Sequence, residues 1–225
     1  MLAWMERWAI LLLAPPAVDP DVWNRRLLDL CCDLAAAVGV EEIALHLRDQ
    51  PARAIPQPDG AASASFQALV ELAGDSRAHA AVDALRDQGG PHVYRVESRR
   101  VKAYPRTWPD GARTPGVEML AVMRRCAALS RDEFDAHWRE VHAPMAIRHH
   151  PAMWEYRQNA VRAVETPGSP DVDGIAVLGF SSAEDFATRL HDSPEGRDLI
   201  DADLARFVDI ARTEATFTGE YVLRS

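Results

Sequence analysis

The stretch Ser130–Ala146, SRDEFDAHWREVHAPMA, holds the residues best suited to chemistry. His137 and His142 stand five residues apart, and Pro144 follows closely. An imidazole changes charge near neutral pH and can give or take a proton. On a helix turning about 100° per residue, Phe134, Trp138, Val141 and Met145 form one apolar stripe. His142 lies at one edge of that stripe and His137 at the other. Separated by about 140°, they do not converge on a metal as a pair at i, i+4 would. The adjacent His149 and His150 also diverge. Pro144 has no N–H for the Glu140 carbonyl, so a kink with room beside His142 is expected. His142 then reads in two ways. It is a general acid or base facing a hollow between helix and sheet, or a core-edge histidine bonded to the freed carbonyl.

On the strand that follows, alternation puts Trp154, Tyr156 and Gln158 on one face and Asn159 on the other. Tyr156 either offers its phenol to the same hollow or is an ordinary strand aromatic with its hydroxyl at the rim. Trp138, Trp154 and Met145 are the candidate apolar contacts for a substrate. The other histidines, His46, His79, His92 and His191, look scattered, and a solvated or satisfied ring is the default for each. The chain has no Gly-rich phosphate loop, no Gly-x-Ser-x-Gly elbow and no His-Glu-x-x-His.

Two runs of elements are needed to place these groups. The first is a strand at Trp8–Ala14, a helix from Asp19 to Val38, a strand at Glu41–Arg48, a loop from Pro51 to Gly60, a strand at Ser65–Leu72, a helix at Ser76–Gln88 and an extended segment at His92–Tyr104. The second has a strand at Val117–Ala128 and a helix at Ser130–His150, opened by a Ser130/Glu133 capping box. Strands at Trp154–Val164 and Val172–Phe180 follow, then helices at Ser182–Leu190 and Pro194–Ala202, and a last strand within Phe207–Leu223. Between the runs lies YPRTWPDGARTPG, with three prolines and two glycines, which reads as a linker. The order βαββαβ thus occurs twice, which is the ferredoxin-like pattern. The expected class is α+β: two ferredoxin-like modules, residues 1–104 and 117–225, joined by a linker at 105–116. Each module's uncovered sheet face can be buried against the other's to make an α/β barrel.

Composition narrows the function classes. The 225 residues are 48% hydrophobic and 26% charged, as in a globular chain. A net charge of −9 argues against nucleic acid as a partner. Lys102 is the only lysine, so any Schiff-base chemistry would have to use it. Cys31, Cys32 and Cys126 include no Cys-x-x-Cys pair, which argues against structural zinc and fits a reducing, cytoplasmic setting. No apolar run reaches the length of a membrane span. The opening MLAWMERWAILLLAPPA has some features of a signal peptide, but Trp8–Ala14 reads better as a buried first strand.

The C-terminal half resembles the EthD family of dimeric α/β-barrel proteins. The matching pieces are LSRDEFDAHWREVHAPMA, WEYRQNAV, DGIAVLGF, SPEGRDLI and ARFVDIARTEATFTGEYVL, spanning about Val117 to Leu223. The N-terminal half resembles a diverged copy without the helix motif. The resemblance implies paired ferredoxin-like sheets, completed within one chain or in a homodimer. It also implies a cofactor-independent enzyme of lyase, isomerase or monooxygenase type acting on a small apolar oxygenated compound, either aromatic, polyketide-like or a lactone. In the muconolactone isomerase-like relatives a helix histidine and a strand tyrosine serve the active site, and these fall on His142 and Tyr156; His137 matches a further histidine position. Those relatives also use a cysteine where this chain has Leu178, which departs from that isomerase pattern. Cofactor-free oxygenation of a phenolic or anthrone-like substrate, a haem-binding barrel and a non-catalytic ligand-binding barrel are the competing readings.

Overall fold

The computed structural model describes residues 5–57 and 61–225. Met1–Trp4 of the signal-like opening and the last three residues of the Pro51–Gly60 loop lie outside them. The first half holds β1 (Glu6–Leu12), α1 (Pro20–Ala35), β2 (Val40–Leu47), the short α2 (Gln50–Arg53), a two-residue β3 (Ala62–Ser63), β4 (Ala68–Gly74), α3 (His79–Arg86) and β5 (His92–Lys102). The second holds β6 (Val117–Met123), α4 (Arg131–His137), a π-helical turn (Trp138–His142), α5 (Ala143–His149), β7 (Met153–Val164), β8 (Gly174–Phe180), α6 (Ala183–Arg189), α7 (Pro194–Phe207) and β9 (Glu214–Arg224).

Local chemistry explains most of these boundaries. Asp19 caps α1 by accepting from the Asp21 and Val22 N–H groups, and Pro20 occupies the first turn. The Ser130/Glu133 capping box is present at the start of α4. Part of the expected 51–60 loop is instead α2, because Asp49 caps it and Pro51 suits a first turn. The helix expected to end at Ala202 runs on to Phe207 as α7, and the last strand is β9. The strand expected to reach Ala128 stops at Met123, where Asp173 takes both the backbone N–H and the guanidinium of Arg125.

The strands run β2-β4-β1-β5-β7-β8-β6-β9, and β9 returns to pair with β2. The same four-strand order therefore recurs in each half. The halves meet along two antiparallel seams, β5–β7 and β2–β9, which close the sheet into an eight-stranded barrel. Closure leaves no long free edge for another chain to extend. The segment between the halves also hydrogen-bonds into this sheet. The Gly111 and Thr114 N–H groups donate to the Val222 and Glu220 carbonyls.

Alternation along the strands divides the apolar residues into three bodies. Trp8, Ile10 and Leu12 pack under α1 and α3, and Tyr156, Leu178 and Phe217 pack under the helices of the second half. The third body, including Ala9, Leu69, Tyr94, Val122, Val161 and Ile175, has no helix residue. It fills the barrel interior from both halves. No helix among the described residues is long and apolar enough to cross a membrane.

Gly116 leads the chain into β6 with φ +90°, and a Cβ there would stand 2.1 Å from the Phe180 carbonyl oxygen. Gly116→Ala is expected to cost about 1–3 kcal/mol from backbone strain alone, and more from the clash. Urea unfolding of the two proteins measures this; equal midpoints would contradict this account of the turn.

Candidate functional site

The helix that carries the histidines is not uniform. The Ala143 N–H donates to the Trp138 carbonyl five residues back, making one π turn just before Pro144. Proline leaves the Glu140 carbonyl without its usual donor and crowds the preceding turn. The chain accommodates this with one widened turn. A π turn uses about one residue more per turn, so residues five apart come to lie one above the other. His137 and His142, expected to diverge, accordingly converge. The same extra residue rotates Val141 off the apolar stripe, and it is 43% exposed instead of core.

Both histidines meet Asp203 of α7. His142 Nδ1 lies 2.9 Å from Asp203 Oδ2, and His137 Nε2 lies 2.8 Å from Oδ1. Asp203 is buried, as is His142, while His137 is partly exposed. Phe207 stacks on His137 with centroids 4.8 Å apart and lies 5.1 Å from the His142 ring. Burial pushes the His142 imidazole below its ordinary value, and the bond to Asp203 only partly opposes this. The ring is therefore neutral at pH 7, with its Nδ1 proton directed at Asp203. Among the described residues Nε2 has no hydrogen-bond partner, which leaves a lone pair available. Asp203 was missed by sequence reasoning. It does, however, share the buried α7 stripe Gly196, Ile200, Asp203 and Phe207, and a carboxylate on an apolar stripe needs a partner.

The other expected site residues serve different contacts. The Tyr156 hydroxyl accepts from the Trp138 indole N–H at 2.8 Å and from the Gln158 amide at 3.0 Å. It is fully buried, and burial pushes its phenol up to about 12. Gln158 also donates to the Trp138 carbonyl, so these three side chains lock the π turn to β7. Gly174 makes room for this, since a Cβ there would stand 2.6 Å from the Trp138 ring. Leu178 pairs directly with Tyr156. Met145 is half-buried at the edge of the same layer. Trp154 does not share the Tyr156 face, because β7 is bulged between Met153 and Glu155. It stacks instead on Tyr104 and Trp108, at centroid distances of 4.8 and 6.3 Å.

The expected hollow beside His142 is not among the cavities described. The larger one, about 330 Å³, opens at one end of the barrel interior between Arg7, Glu71, Ser98, Arg100, Arg157 and Arg224. A network of buried charge lies beneath it. Arg157 pairs with Glu71, Glu155 and Glu220, drawn from β4, β7 and β9. Asn159 donates to Glu71, which places it in the interior as alternation suggests. His46 sits between Glu118 at 2.7 Å and Glu71 at 2.9 Å. Burial alone would lower His46, but the two carboxylates outweigh it and hold the ring protonated well above its ordinary value. His46 is thus an ionic centre and not the incidental histidine its type suggested. His46, Glu118 and Glu220 bring ligand-type atoms within 4.8 Å of one another. Both ring nitrogens of His46 already face carboxylates, and Glu220 accepts from Tyr104 and Thr114, so the group fits shared protons better than a cation.

Residues 127–211 match the EthD domain family. Over those residues the chain is similar to the EthD domain. The matched residues include His137, His142 and Asp203. No curated protein sequence matches the chain. Among solved structures, an anthrone oxidase-like protein superposes with a TM-score of 0.62 at 11% identity, over 98% of this chain and 94% of its own. A candidate monooxygenase from Fusobacterium nucleatum gives 0.56 at 9% identity, over 100% and 94%. One from Lactobacillus acidophilus gives 0.51 at 10%, over 97% and 94%. At these identities the likeness is one of fold.

Glu118 provides a pH test of the interior. Burial first, and then Glu220, raise its carboxyl against the pull of His46, to about 7 from 4.5. Between those values the unfolded chain has released a proton that the folded chain keeps, so stability falls as pH rises. The raised His46 adds to the loss as pH climbs through its folded value. Thermal melts from pH 5 to 8 are expected to show this decline, and Glu118→Gln to flatten it. An equally steep decline in the variant would contradict the assignment.

Proposed function

We propose that this EthD-domain protein is a cofactor-independent enzyme acting on a small oxygenated ring compound, with His142 as general base. The supporting observation is the pairing of His142 Nδ1 with buried Asp203, which fixes the tautomer and leaves Nε2 free. A carboxylate in this position orients an imidazole and stabilises the cation formed when it takes a proton. Removing a proton beside a substrate carbonyl would give an enolate and an imidazolium. Returning the proton to another carbon completes an isomerisation; expelling hydroxide with it completes a dehydration. His137, on the other oxygen of Asp203, is a positioning residue in this scheme. Tyr156, bonded to Trp138 and Gln158, acts by holding the π turn and not by relaying protons. Phe207 packs beside the ring, with centroids 5.1 Å apart.

Two other readings have specific support. The anthrone oxidase-like and monooxygenase relatives in fold favour a reaction in which the carbanion made by the same base meets dioxygen. Oxygen uptake with a phenolic or anthrone substrate separates that reading from isomerisation. A cavity of about 330 Å³ at the barrel mouth, away from His142, favours a ligand-binding barrel without turnover.

For the enzyme reading, His142→Ala, His142→Gln and Asp203→Asn are expected to fold and to lose at least about 100-fold in kcat/KM on a substrate found by screening. The wild-type kcat/KM is expected to fall on acidification with an inflection below 6.5, because burial lowers His142. Asp203→Asn should move that inflection. Folded His142 variants with unchanged turnover would sink the assignment.

A further inference from the structure

The end of the barrel interior carries a second set of groups that the His142 reading does not use. Its cavity of about 330 Å³ is lined by four guanidiniums, Arg7, Arg100, Arg157 and Arg224, against the side-chain carboxylates of Glu42 and Glu71, with Ser225 on the same wall. This is a local excess of positive charge in a chain whose net charge is −9. Two of the arginines are already matched. Arg7 holds both oxygens of Glu42 at 2.7 and 2.8 Å, and Arg157 holds Glu71. Arg100 and Arg224 are different: among the described residues neither has a carboxylate within salt-bridge distance. Arg224 has only the Ala35 carbonyl, at 3.0 Å. Arg157, on the floor, is buried and keeps its Nε without a partner.

Unmatched guanidiniums beside a cavity recognise planar oxyanions through paired N–H donors. Part of the wall is apolar, with Val96, Ala44, Ala73 and Val222 lining the same space. The volume lies at the lower end of the range for small-molecule sites. We infer that this barrel mouth binds a small organic carboxylate, its oxygens on Arg100 and Arg224 and its apolar body against Val96 and Val222. Ser98 and Asn159 supply polar contacts at the edge and the floor. The inference is independent of His142, which lies in the helix layer on the outside of the sheet.

Benzoate is a suitable probe, titrated by calorimetry at low ionic strength into the whole chain. The expected result is binding at about millimolar Kd or tighter, weakened at least about tenfold in R100Q/R224Q and by high salt. Both arginines are exposed, so the variant should keep the wild-type circular dichroism and melting temperature. H142A should bind benzoate as the wild type does, which separates this site from the proposed catalytic one. Absence of benzoate binding, unchanged affinity in the folded double variant, or inorganic phosphate binding as tightly as benzoate would each overturn the inference.

Discussion

A guanidinium in the middle of a closed barrel must be surrounded by carboxylates, and Arg157 meets that demand only when both halves of the chain are in place. Its partners come from β4 in the first half and from β7 and β9 in the second. His46 repeats the arrangement, standing on β2 between Glu71 of its own half and Glu118 of the other. Buried ion pairs add little net stability over well-packed apolar residues, but removing one partner costs about 3–5 kcal/mol. The network therefore acts mainly on specificity. It ties the strand register of one half to that of the other, because a one-residue slip would turn every interior charge outward.

The helix layer of the second half obeys a different constraint. Pro144 cannot donate to the turn behind it, and the helix responds with one wide turn held by Trp138, Tyr156 and Gln158. That turn brings His137 and His142 onto a common line, where a single carboxylate from α7 can hold both. The hydrogen bonds that fix the imidazoles are thus made possible by backbone geometry that the proline imposes. Aromatic packing from Phe207 excludes water from one side and keeps His142 neutral, the form in which an imidazole can accept a proton.

Much of this was legible in the sequence. The doubled element order, the caps at Asp19 and Ser130 and the apolar stripes rest on spacings of two to four residues, which local chemistry sets. The EthD pieces were readable for the same reason, since they lie within single helices and strands. Errors arose where one residue altered the period. The π turn at Trp138–His142 exposed Val141 and joined two histidines that a regular helix would separate. The bulge beside Glu155 moved Trp154 away from the Tyr156 face. Pro144 signals that the helix is disturbed but not that it widens by one residue, and the bulge leaves no mark in the residue types.

What the sequence determined by itself was the set of elements, their order and which faces must be buried, because backbone hydrogen bonding and apolar periodicity are local. Only the tertiary structure decided which polar groups meet. Asp203 reaches His142 across 61 positions, and Glu118 reaches His46 across 72. Strand closure also decided that a cavity opens at the barrel mouth, between arginines of both halves. A cavity is a property of how packed layers fail to fill a volume, and that depends on side chains from every strand at once.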